Sequence, residues 1–197
     1  HNKEENKLLA HDYIEMFGLK LPIIRPIWEG NKKIAPDQRL KEGIYPEILV
    51  YLKGEGICGQ SDKTIIANGG IYVDDYKTSK EITMQSYVNR EGRSKKFNRP
   101  LQHMDDCHIT KFALQLSTYA YIIKKHNPLL EVRDLTINHI LFEEAGRDKY
   151  DNPITLLDSN GDPIVKDKVK IPVPYLGKEV ELMLKWLKIN RNNLRKN

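Results

Sequence analysis

The sequence predicts an α/β fold, a central mixed β-sheet flanked by helices. Three observations carry this. Residues 47–77 hold three β-rich runs separated by glycine turns. Residues 109–125 repeat apolar side chains at intervals of three and four. A further β-rich run, 135–143, follows that helix. Strands flanked by helices assemble as an α/β or α+β sandwich around a mixed sheet.

The elements follow in order. Leu8, Leu9, Tyr13, Ile14 and Phe17 recur near helical period, which predicts an N-terminal helix within 1–18, ended by Gly18. Residues 21–43 contain Pro22, Pro26 and Pro36 and are expected to be turns and short pieces. Glu47–Leu52, Ile57–Ala67 and Ile71–Lys77 are strand candidates, and Asn68-Gly69-Gly70 is a hairpin turn signal. Residues 89–100 are basic and turn-rich. Ile109, Phe112, Ala113, Leu116, Ala120 and Ile123 mark the clearest helix. Asp105, Asp106 or Thr110 is expected to cap its start, and Lys124, Lys125 and His126 suit its negative end. The Asp-Asn-Pro and Asn-Gly-Asp-Pro turns predict a projecting hairpin over about 146–170. Residues 179–194 form a last amphipathic helix, with Lys185, Lys188 and Arg191 on a solvated face that Arg195 and Lys196 extend.

The 197 residues suit one domain over 1–197. Hydrophobic residues make up 40% and charged residues 30%, the balance of a folded soluble chain and not of a disordered one. No apolar run approaches the ~20 residues of a membrane span, so no membrane association is expected. His1–Lys7 is polar and carries no signal peptide, and a first residue other than Met predicts a fragment. The net charge of +5 suits a polyanionic partner without proving one. Cys58 and Cys107 are the only cysteines, too few and too distant for a disulfide framework or a zinc ribbon. A reducing, cytoplasmic compartment is the expectation.

Chemistry concentrates around the meander. If 57–67 and 71–77 pair as a hairpin, Asp62 and Asp75 lie on neighbouring strands, and the register decides whether they share a face. Two converging carboxylates would suit Mg²⁺ or Mn²⁺. Lys77, two residues after Asp75, points to the same face as Asp75, and Asp74 to the other. The triplet alone is a weak signal, because Glu5-Asn6-Lys7 repeats it on an expected helix surface.

The context is more specific. Gly59-Gln-Ser-Asp62, then Asp75-Tyr-Lys-Thr78, then Gln115-Leu-Ser-Thr-Tyr119 on the predicted helix resembles the PD-(D/E)XK nucleases, in particular the RecB-like and Cas4-like exonucleases, many of them from phages. The resemblance covers roughly residues 45–125, and the catalytic meander and helix together span 45–126. It implies a restriction-endonuclease-like core and a metal-dependent exodeoxyribonuclease for DNA processing or recombination. It makes Asp62, Asp75 and the carbonyl of Tyr76 metal ligands and Lys77 the catalytic lysine. Gln115 and Tyr119 would orient the lysine or the DNA backbone, and Glu47 matches a frequent acidic position. His1 would be a further ligand from a Gly-x-x-x-His motif whose glycine is cut away. Arg90, Arg93, Lys95, Lys96 and Arg99 are candidate DNA-phosphate contacts, with Phe97 a candidate for base stacking. The resemblance further implies DNA ends as substrate, a helicase or recombination partner, and a bacterial or phage-infected host cell.

Some RecB-like proteins hold an iron–sulfur cluster on four cysteines. Two cysteines cannot supply that set, so no iron–sulfur cluster is expected. His103-Met-Asp-Asp-Cys-His108 is dense in ligands, but its spacing suits a helix-entry turn better than zinc. The competing function is a DNA-binding or scaffold module without catalysis on the same fold.

Overall fold

The computed structural model describes residues 20–194 together with Gly18, with the backbone alone over 191–194. The helix expected over 3–17 and His1 lie outside the described residues. A small hairpin comes first, β1 (Ile27–Glu29) and β2 (Lys32–Ile34). The meander follows as β3 (Gly43–Leu52), β4 (Ile57–Ala67) and β5 (Gly70–Lys77). Then come α1 (His108–His126), β6 (Glu131–Phe142), β7 (Glu144–Arg147), β8 (Pro153–Thr155), β9 (Val165–Pro172) and α2 (Gly177–Leu194).

The chain is α/β, with a five-stranded mixed sheet of order β3-β4-β5-β6-β9. The β3–β4, β4–β5 and β6–β9 pairs are antiparallel, and the β5–β6 pair, joined through α1, is parallel. The β4–β5 turn is the expected one. Asn68 (φ 50°) and Gly69 (φ 70°) both adopt the left-handed backbone that a two-residue hairpin loop demands.

The core fills the space between the sheet and α1. Ile71, Val73, Leu135 and Ile137 from β5 and β6 meet Leu116, Ala120 and Ile123 from α1, all essentially water-free. Each of the Ile, Val and Leu side chains contributes about 1.5–3 kcal/mol by leaving water. Leu114, Ser117 and Ile122 are buried as well. Ser117 Oγ accepts from Leu176 N–H at 2.8 Å, which ties the entry of α2 to α1. The described helices therefore stack as sheet, α1, α2, and not as a layer on each side of the sheet. On the opposite face, Leu21 and Ile23 join Ile44, Ile65 and Tyr72 in a smaller cluster.

Two expectations are corrected. The 146–170 stretch is not all a projecting hairpin. β7 and β8 form that hairpin, but β9 returns to the central sheet and pairs with β6 from Thr136↔Pro172 to Phe142↔Val165. The alternation Val165, Asp167, Val169, Ile171 against Lys166, Lys168, Lys170 is that of an edge strand, whose lysines discourage further pairing. Second, none of the expected residues caps α1. Cys107 holds the N-cap position without a side-chain cap, and Thr83 serves the first turn instead. Thr83 Oγ1 accepts from His108 N–H at 3.1 Å, and its carbonyl accepts from Ile109 N–H at 3.2 Å. Asp105 and Asp106 are engaged by lysines instead.

Candidate metal centre

The site begins with a local break in strand alternation. In β3, Tyr45, Ile48 and Val50 all enter the core beneath α1, so the inward face changes parity between 45 and 48. Glu47 sits at that point with φ 50°, a left-handed backbone unusual outside glycine. β4 does the same. Ile66 packs in that core, yet buried Thr64 donates its hydroxyl to buried Ser61 Oγ at 3.0 Å, three residues away and not two or four. Pro46 pairs Lys63 and Ile48 pairs Ser61, so Glu47 and Asp62 oppose each other where both strands turn.

This break releases Asp62 from the ladder. The last β4–β5 pair is Lys63↔Asp74. Beyond it, the Tyr76 N–H donates to Asp62 Oδ2 at 3.0 Å, so a side chain replaces the next backbone acceptor. The Tyr76 carbonyl points to the same side of the strand as its N–H, toward the wedge that opens between β4 and β5. Asp75 is 2% exposed. Burial raises its pKa above the ordinary aspartate range; Lys77 opposes the rise, and the charge and hydrogen bond of Asp62 add to it. The two carboxylates therefore converge, and the Lys63↔Asp74 register settles what the sequence left open. Asp74 lies on the other face and pairs with Lys63.

Lys77 Nζ lies 2.5 Å from Asp75 Oδ2 and 4.8 Å from the centroid of the Phe112 ring. The contact is an ion pair without hydrogen-bond angles, and Asp75 Oδ2 is left as a buried acceptor with no hydrogen bond. Phe112, Gln115 and Tyr119 lie at helical spacing along α1. Gln115 Nε2 donates to Tyr119 OH at 2.9 Å. A Cβ at Gly59 would fall 2.5 Å from Tyr119 Cε1, so the glycine of Gly-x-x-Asp is required by the tyrosine of the helix motif.

Glu47 is not part of this convergence. Its carboxylate is bound by Lys33 at 3.1 Å. Among the described residues no three His, Cys, Asp or Glu side chains come together to hold a metal. A divalent ion would thus draw on Asp62, Asp75, the Tyr76 carbonyl and water. Two adjacent carboxylates, one of them buried, fit a hard, oxygen-loving cation. His1 lies outside the described residues.

The structure adds two neighbours that the sequence reading missed. Phe112 precedes Gln115 by one helical turn, and its spacing was readable. His139, 8% exposed, pairs in register with Lys77, and its Nε2 donates to the Ser79 carbonyl at 2.6 Å. It thereby fixes the chain just after Lys77. Its signal was a polar residue on the inward parity of Leu135 and Ile137.

The basic loop spans the connection from β5 to α1, so it starts and ends at this site. Lys95 pairs Asp106 and Lys96 pairs Asp105, both at 2.8 Å, while Arg93 pairs Glu91 at 3.5 Å. Arg90 and Arg99 are exposed and have no carboxylate partner among the described residues. Half-buried Phe97 lines a groove of about 410 Å³ with Lys96, Arg99 and Lys111. A larger cavity of about 780 Å³, between Tyr121 and Tyr175, does not include the aspartates.

No family model, curated protein or solved structure matches this chain. The functional reading accordingly rests on the geometry of the aspartate pair. No helix among the described residues is long and apolar enough to cross a membrane.

Proposed function

We propose that the chain is a metal-dependent deoxyribonuclease of the PD-(D/E)XK class, built on a restriction-endonuclease-like core and acting on DNA ends as an exonuclease. One observation carries the proposal: Asp62 and Asp75 meet at the point where β4 leaves β5, with Lys77 against Asp75. A buried aspartate paired with a lysine beside a second carboxylate suits a catalytic centre better than a scaffold or binding module.

Bound at that oxygen set, Mg²⁺ or Mn²⁺ would stabilise charge on the scissile phosphate and lower the pKa of water. The chain's own groups do the rest. Asp62 is pinned by the Tyr76 N–H, so its carboxylate keeps a fixed direction. Lys77 is 22% exposed, open enough to meet an attacking water or a phosphate oxygen and neutralise developing charge. Gln115 and Tyr119 hold each other and brace the strand carrying Asp62. Arg90 and Arg99, without a carboxylate partner among the described residues, offer cations to the DNA backbone. A cytoplasmic setting in a bacterial or phage-infected cell, with a helicase or recombination partner, belongs to the same proposal.

The experiment is cleavage of end-labelled single- and double-stranded DNA by the wild type, Lys77→Ala and Asp75→Ala. The wild type should cleave only with Mg²⁺ or Mn²⁺, and Lys77→Ala should lose about 10²–10³-fold in rate. Undiminished cleavage by both variants contradicts the proposal.

A further inference from the structure

The β1–β2 hairpin lies outside every motif of the proposed nuclease, yet it is fastened to the strand that carries Asp62. A two-residue turn, Gly30-Asn31, closes it, with Gly30 at φ 59°. Trp28 and Lys33 are cross-strand partners, and Lys33 Nζ stands 5.2 Å from the Trp28 ring centroid. The same ammonium donates to Gln60 Oε1 at 3.0 Å, to Glu47 Oε2 at 3.1 Å and to the Glu47 carbonyl at 3.3 Å. Gln60 precedes Asp62 by two residues on β4. One side chain therefore connects an indole to Glu47 and Gln60, neighbours of Asp62 on β3 and β4.

Trp28 is 55% exposed, an unusual state for the largest apolar side chain. The Lys33 side chain, only 10% exposed, sets its ammonium against one face of the ring. An aromatic surface facing water beside a phosphodiesterase centre is suited to stacking, and every nucleobase offers a π-face to it. The surroundings favour a polyanion. Outside the Lys33–Glu47 ion pair, Lys20, Arg25 and Lys32 stand against the single anion Glu29 between positions 20 and 34. Bases within a duplex are already stacked on each other, so an unpaired base is the one available to Trp28.

We propose that Trp28 is a stacking platform for an unpaired base of single-stranded DNA, seating a frayed or single-stranded end beside Asp62. The assignment rests on the nuclease reading for its substrate, but its test is separable. In a Trp186→Phe background Trp28 is the sole indole, and its fluorescence can be titrated with oligodeoxythymidylate and with a blunt duplex in EDTA. Oligodeoxythymidylate should quench it saturably. Trp28→Ala should weaken single-strand binding about tenfold and duplex binding by less than about twofold, with Trp28→Tyr retaining most of the affinity. Binding without quenching, or an equal loss on both DNAs, overturns the proposal. So does an unchanged DNA affinity with self-association that vanishes in Trp28→Ala, which would assign the indole to a protein contact. Lys77→Ala should keep the quenching and lose cleavage. If it keeps both, the nuclease reading fails while the platform stands.

Discussion

Asp75 shows how a single residue sets the chemistry. Its carboxylate has lost water to the core and has a second carboxyl group beside it, so its proton is held more tightly in the folded chain than in the unfolded one. Between the unfolded value, about 3.9, and the raised folded value, the folded state binds the extra proton. The associated stability is full below the unfolded pKa and is lost as pH rises through the folded one. In EDTA, Asp75→Asn is therefore expected to raise Tm at neutral pH and to give little gain near pH 3. Thermal melts across that range check this; an equal gain at both ends would refute it. Spacing alone put Lys77 on the face of Asp75; the register that sets Asp62 against Asp75 stayed open in sequence, and the motif resemblance singled the three residues out. The position of Glu47 was not legible, because nothing in Tyr45-Pro46-Glu47-Ile48 announces a left-handed residue that reverses the strand's parity. The Lys33 contact that draws its carboxylate away comes from fourteen residues upstream.

At the scale of elements, the site depends on how α1 and β6 hold β4 and β5. Gly59→Ala drives a methyl into the Tyr119 ring. It should cost about 1–3 kcal/mol by denaturant unfolding and displace Tyr119 from Gln115. An unchanged midpoint would show that the ring is not seated there. His139 acts from β6 by holding the Ser79 carbonyl, and so the exit of β5, in place. His139→Ala should lower kcat with little change in KM, and His139→Gln should recover part of the loss; equal effects of both variants would assign the residue to packing alone. The three meander strands and α1 were readable from turn residues and period. β9 was harder, since its lysines and the Asn-Gly-Asp-Pro turn before it read as an exposed excursion. What defines it as a fifth strand is pairing with β6, a tertiary fact.

For the whole molecule, the sheet, α1 and α2 form a stack in which α1 is buried on two sides. Leu116→Ala, at the centre of the main core, should therefore cost about 2–5 kcal/mol, read by chemical denaturation. Charge acts at the same scale. The net +5 is directed in part by the loop between β5 and α1, where Asp105 and Asp106 neutralise Lys95 and Lys96 and leave Arg90 and Arg99 without a carboxylate partner among the described residues. Replacing Arg90 or Arg99 by Ala should each reduce the salt slope of DNA binding by about one, whereas Lys96→Ala should change it less. The sequence showed five cations in this loop. It could not show which of them the chain itself neutralises.

The central claim is that Asp62 and Asp75 jointly hold one divalent cation. The most direct measurement is anomalous diffraction from crystals soaked in Mn²⁺, with the Asp62→Asn protein as control. One peak should lie within bonding distance of both carboxylates and the Tyr76 carbonyl, and it should vanish in the variant. A peak bound elsewhere, or one that persists in Asp62→Asn, would contradict the account.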